Sequence, residues 1–133
     1  MTEHISQKEY HALLRGQAPH RGQRARGRTT SRDVERMNKW ERDYAEQVLD
    51  RRKLAREIAA YHFEAFGLRL AKRCFYYPDF LVVLSDGLIE VHEVKGHWRE
   101  DALVKIATAA EMYPLFTFRA FTKDGLEWVE RAF

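Results

Sequence analysis

A chain of 133 residues, 45% of them hydrophobic, has the length and apolar content of one compact domain. Its single cysteine, Cys74, excludes an internal disulfide framework, no Cys/His spacing suits zinc, and no apolar run approaches the roughly 20 residues of a membrane span. The formal net charge is only +3, so the total says little about partners and the placement of charge says more.

Residues 1–30 hold Gly16, Gly22 and Gly27, few sizeable aliphatics and many arginines. Such a segment buries little, and it reads as a flexible basic arm. Between positions 19 and 32 lie Arg21, Arg24, Arg26, Arg28 and Arg32 without one acid, a footprint for phosphate backbones or another polyanion. The start of the chain has no apolar signal-peptide core. Together with the lone cysteine, this points to a cytoplasmic setting.

The first strong element begins near Ser31. Val34, Met37, Trp40, Tyr44, Val48, Leu54, Ile58 and Tyr61 recur at roughly helical spacing up to Phe66 and Gly67. They predict one long helix, or two with a break near Asp50. Residues 68–77 read as extended, 79–84 as a buried strand, 85–87 as a turn and 88–95 as the next strand. A second helix is expected over 101–113, stopped by Pro114, then a strand over 115–121 and a short helix over 125–132. This order predicts an α/β domain with a mixed four-stranded sheet flanked by helices. Three strands would form an antiparallel meander, and a right-handed crossover would make the last two strands parallel.

Residues two apart on a strand share a face, so Glu93 and Lys95 project together. If Ser85-Asp86-Gly87 is a three-residue loop with Gly87 left-handed, Leu84 pairs with Leu88 and Asp79 falls opposite Glu93. A two-residue loop would turn Asp79 to the other face. In the first register two carboxylates and an ammonium converge. Paired acids repel when both are ionised, and a divalent cation relieves that. Such a cation activates water and stabilises charge on a cleaved phosphodiester. The plain alternative is a solvated salt bridge at a strand end. Glu41 sits within the apolar stripe of the first helix, where an unpaired carboxylate is costly. It reads either as a further ligand or as an acid satisfied by Lys or Arg. Trp98 and Arg99 follow the cluster and could touch DNA, Trp98 by stacking on an unpaired base. Trp98 is equally a loop aromatic covering the core. His92 falls on the face opposite Glu93 and reads as structural. No phosphate-binding glycine loop is present, which argues against a nucleotide cofactor.

Pro78-Asp79, thirteen intervening residues and Glu93-Val94-Lys95 resemble the signature of the PD-(D/E)XK nucleases. The order helix, meander, helix, strand is similar to the restriction-endonuclease-like αβββαβ core of that superfamily. Small phage endonucleases related to Holliday-junction resolvases, including the VRR-NUC type, are the nearest resemblance, although the VRR element itself is not evident. The resemblance implies a nuclease domain over 31–133 and a metal-dependent DNA endonuclease acting on branched or junction DNA. It implies Mg2+ or Mn2+ held by Asp79, Glu93, the Val94 carbonyl and Glu41, with Lys95 as catalytic lysine and Lys105 as an auxiliary group. A homodimer follows from the symmetry of a junction. The competing readings are a non-catalytic DNA- or protein-binding module on the same fold, an RNA-directed protein, and a nuclease subunit of a larger recombination or transposition complex.

Overall fold

The computed structural model describes residues 31–133. The basic arm, with Arg21, Arg24, Arg26 and Arg28, lies outside the described residues. Helical structure comes first, as four short pieces. Helix α1 spans Ser31–Arg36 and α2 spans Lys39–Tyr44. The chain breaks between them because Asn38 takes extended dihedrals and caps α2. Its side chain accepts from the Glu41 N–H, and the Glu41 carboxylate accepts from the Asn38 N–H. A wide π-helical turn, Ala45–Leu49, follows, and α3 covers Asp50–Leu54. There the helix ends, with Arg56 in the left-handed region at φ 60°.

The expected helical run to Phe66 is therefore corrected: Ile58–Phe63 is strand β1. A bulge between Ile58 and Ala60 shifts its pairing with the neighbouring strand. The bulge brings Ile58, Tyr61 and Phe63 to one buried side, at spacings of three and two. That spacing is what imitates a helix in the sequence. Residues 68–77 form a separate hairpin of β2 (Leu68–Ala71) and β3 (Cys74–Tyr76), outside the main sheet. Strands β4 (Phe80–Leu84) and β5 (Ile89–Lys95) follow, then helix α4 (Glu100–Met112) and strand β6 (Thr117–Asp124).

The final segment is strand β7, Glu127–Ala132, and not the expected helix. It returns antiparallel on β6 through a turn in which Gly125 takes φ 61°. Gly125-Leu126 is the two-residue loop, with glycine at its first position, a signal the helical reading of Leu126, Trp128 and Val129 overrode. The main sheet is accordingly five-stranded rather than four-stranded, in the order β1-β4-β5-β6-β7. Strands β1, β4 and β5 make an antiparallel meander, and β6 lies parallel to β5 after the α4 crossover.

The sheet separates two apolar layers. On one side Met37, Tyr44, Ala45 and Leu49 of the helical segment pack on Ile58, Tyr61, Phe63, Phe80, Val82, Val94 and Phe121. On the other side Ile106 and Ala109 of α4 pack on Leu81, Ile89, Val91, Phe116 and Phe118, and the β2–β3 hairpin adds Leu68 and Tyr76. Each large side chain removed from water contributes about 1.5–3 kcal/mol. The alternation along β4 and β5 therefore holds the register firmly, because a one-residue slip would exchange the two layers.

Candidate functional site

The β4–β5 hairpin pairs Phe80 with His92, Leu81 with Val91, Val82 with Glu90 and Val83 with Ile89. Leu84 N–H donates to the Leu88 carbonyl (2.8 Å), and Gly87, at φ 89°, closes the three-residue loop by donating to Leu84 (2.9 Å). Continuing this register one step places Asp79 opposite Glu93. Both carboxylates then project toward the α4 side, and both residues are buried. Asp79 N–H lies 3.3 Å from Glu93 Oε2, and Val94 N–H donates to Asp79 Oδ2 at 2.9 Å. The group of Val94 that meets Asp79 is thus its amide.

Glu93 is held from two further directions. Tyr76 donates its hydroxyl to Oε2 at 2.8 Å, and Lys95 Nζ sits 3.0 Å from Oε1. Tyr76 arrives from the β2–β3 hairpin, so nothing near Glu93 in the chain announces it. Its phenol is pushed upward by burial and by Glu93, which keeps it a neutral donor. Glu64, at the end of β1, is a second residue missed in the sequence. Its N–H donates to the Asp79 carbonyl (2.8 Å), its carboxylate pairs with Arg36, and its charge is felt by Glu41.

Glu41 reaches the same end of the sheet from α2. It is buried, but Oε2 is 2.8 Å from the Asn38 N–H as half of the capping box. Its partner is thus a backbone amide, and not the lysine or arginine of the alternative reading. The pattern Asn38-x-x-Glu41 was the available signal. Trp40, on the same helix, packs its indole against Gly96 just past β5; a Cβ built at Gly96 would lie 2.6 Å from the indole nitrogen.

The electrostatics are unbalanced. Burial first, then the Glu93 charge, pushes the Asp79 carboxyl up to about 8, against a downward pull from the Val94 amide. Burial likewise raises Glu41, with Glu64 and Glu93 adding to it. Burial would lower Lys95, but Glu93, Asp79 and Glu41 outweigh it and hold the ammonium above its usual range. Lys95 is thus a firmly protonated, half-exposed cation facing three acids.

The other named residues fall elsewhere. Lys105 is exposed on α4, where it lines an open depression with Cys74, Glu100, Asp101 and Val104. Trp98 packs on the α4-side core and hydrogen-bonds Thr122 through its indole N–H, which is the core-covering role. Arg99 is the exposed residue preceding α4, and Arg32 is exposed on α1. His92 is fully buried on the opposite face, as expected.

Among the described residues no group of three or more His, Cys, Asp or Glu side chains is poised together as a metal cage. The donor set that exists is two adjacent buried carboxylates with Glu41 nearby. It matches a hard cation that takes one or two carboxylates and completes its shell with water and phosphate oxygens. It does not match an all-protein site. Comparison with protein-family models, with curated proteins and with solved structures returns no match. No helix among the described residues is long and apolar enough to cross a membrane.

Proposed function

We propose that the chain is a divalent-cation-dependent nuclease of the PD-(D/E)XK kind that hydrolyses phosphodiester bonds in DNA. One observation carries the reading. Asp79 and Glu93 converge on one face with Lys95 beside them, and burial and the Glu93 charge push Asp79 up to about 8, a conflict that a divalent cation would relieve. A structural ion pair has no need of the second carboxylate. The strand arrangement supports the same reading: an antiparallel β1-β4-β5 meander with β6 parallel to β5 is the connectivity expected of a restriction-endonuclease-like core. On this reading the β2–β3 hairpin is an insertion and β7 an added edge strand.

Asp79 and Glu93 would hold Mg2+ or Mn2+, with Glu41 within electrostatic reach. A bound ion of this kind supplies an activated water and stabilises charge on the phosphoryl oxygens. Tyr76 fixes the Glu93 carboxylate, and the Val94 amide fixes Asp79, so neither acid has to reorganise. Lys95, held protonated, is suited to donate to a phosphate oxygen or to orient a water, and not to remove a proton. A junction substrate would call for two copies of the chain. The outer strand β7, with Val129 exposed, offers an edge for such pairing.

A second reading rests on one feature: Glu93 and Asp79 already have protein partners at Tyr76, Lys95 and Val94. A binding module that merely uses the fold would look the same there. The test is a cleavage assay on duplex, single-stranded, flap and four-way-junction DNA with Mg2+ or Mn2+, beside EDTA. Cutting that needs metal and falls at least about a hundred-fold in Asp79→Ala supports the nuclease. DNA binding without cutting under either metal supports the module.

A further inference from the structure

Resting on the nucleic-acid reading above, we propose that the outer face of the β2–β3 hairpin is a stacking platform for the unpaired bases of single-stranded DNA that enters the carboxylate site. Side chains alternate along a strand. Tyr76 turns inward and grips Glu93, so its neighbours Phe75 and Tyr77 turn outward together. Their rings lie 6.2 Å apart between centroids and 26° from parallel, and they are 42% and 51% exposed. Neither belongs to the apolar clusters of the fold. The Tyr77 ring rests on Gly67, where a built Cβ would come within 2.6 Å of it, so side-chain-free backbone seats the ring.

Charge complements the rings. Between Glu64 and Asp79 the chain carries Arg69, Lys72 and Arg73 and no acid. All three are exposed, and Lys72 and Arg73 form the hairpin tip. Aromatic faces beside cations are the arrangement that holds a single strand, whose bases are free to stack while its phosphates follow the positive edge. A duplex keeps its bases stacked on one another and offers the rings no face. Tyr77 precedes Asp79 by two residues, about 7 Å of extended chain, so a base on the platform leaves its phosphate beside the carboxylates. Tyr76 joins the two surfaces mechanically.

Binding is measured by fluorescence anisotropy in EDTA, where cutting does not enter, using labelled oligothymidine and a duplex of equal length. The full chain is compared with the pair Phe75→Ala plus Tyr77→Ala, the pair Phe75→Trp plus Tyr77→Trp, and the pair Lys72→Ala plus Arg73→Ala. The first pair should weaken oligothymidine binding on the order of ten-fold or more and duplex binding far less. The tryptophan pair should retain it, which rules out a folding defect. The basic-tip pair should weaken both DNAs and flatten the salt dependence. Oligothymidine binding unchanged by Phe75→Ala plus Tyr77→Ala overturns the platform, including the case in which these rings serve a protein partner. Platform-dependent binding by a protein that cuts nothing with either metal keeps the platform and removes the nuclease. Metal-dependent cutting with binding indifferent to the rings does the reverse.

Discussion

Strand β5 carries two buried polar clusters, one on each face, and they are built on opposite electrostatic terms. On the helical-segment side, Arg119 Nη1 contacts both oxygens of Glu90 (3.1 and 3.0 Å), and Arg119 Nε and Nη2 contact Glu130 (2.5 and 2.6 Å). His92 joins in between Glu90 and Tyr44. Its Nε2 lies 2.6 Å from Glu90, and its Nδ1 lies 2.7 Å from the Tyr44 hydroxyl. Burial lowers His92, so the ring is neutral, donating from Nε2 and accepting at Nδ1. Burial would raise Glu90, but His92 and Arg119 outweigh it and hold it low. Arg119 serves both carboxylates there, and both are held below their usual range. One residue beyond His92, on the other face, Glu93 pairs with Lys95, whose ammonium also feels Asp79 and, from α2, Glu41, and Asp79 is pushed up to about 8. The same strand gives one cluster whose acids a shared arginine holds low and one whose acids Asp79 and Glu41 are pushed high. Burial of acids alone does not separate the two clusters; the direction in which their carboxyls shift does.

The largest expected effect separates the two clusters by deletion. Arg119→Ala strands Glu90 without a cation and should cost about 3–5 kcal/mol of stability. Mg2+ should not restore it, since the lost charge lies on the wrong face. A urea melt followed by circular dichroism, with and without Mg2+, reads both. Recovery by Mg2+ would merge the clusters and break the contrast.

The next effect is pH dependence. A carboxyl raised in the folded state contributes stability that is complete below its unfolded value and is lost as pH rises through the folded value. For Asp79 that window runs from 3.8 to about 8. In EDTA the protein should lose a few kcal/mol across it, at about 1.4 kcal/mol per pH unit. Asp79→Asn should remove most of that slope and be the more stable protein at pH 8. A wild-type slope that persists in Asp79→Asn would contradict the account of the site.

Smaller changes sharpen the comparison. Tyr44→Phe removes the donor to His92 Nδ1 and should cost about 1–2 kcal/mol without altering metal response. Gly87→Ala should cost about 1 kcal/mol, because φ 89° is unfavourable for a side chain. Its thermal melt tests the loop that sets the Asp79–Glu93 register.

That register was legible in the sequence because Ser85-Asp86-Gly87 carries its own geometry, and it brought the two acids together before any contact was known. Strand β5 and helix α4 were legible from local pattern, and the parallel step to β6 from the right-handed crossover that a strand, helix and strand in sequence require. The chain from Leu54 to Phe63 was not. The β1 bulge spaces Ile58, Tyr61 and Phe63 in a helix-like way, and Arg56 turns left-handed without a glycine to mark it. Tyr76 and Glu64 join the site through tertiary packing, which no local pattern encodes. Glu41 was found for half of the right reason: it is buried near the acids, but its carboxylate caps a helix that the uninterrupted periodicity had hidden.

The central claim is that the acid-rich face of β5 is a divalent-cation site. Calorimetric titration of Mn2+ into the metal-free protein tests it directly, beside Asp79→Asn and Arg119→Lys. Saturable binding in wild type and in Arg119→Lys, with a rise in melting temperature, and loss of both in Asp79→Asn, is the predicted result. No binding in wild type, or binding that Asp79→Asn leaves intact, would contradict it.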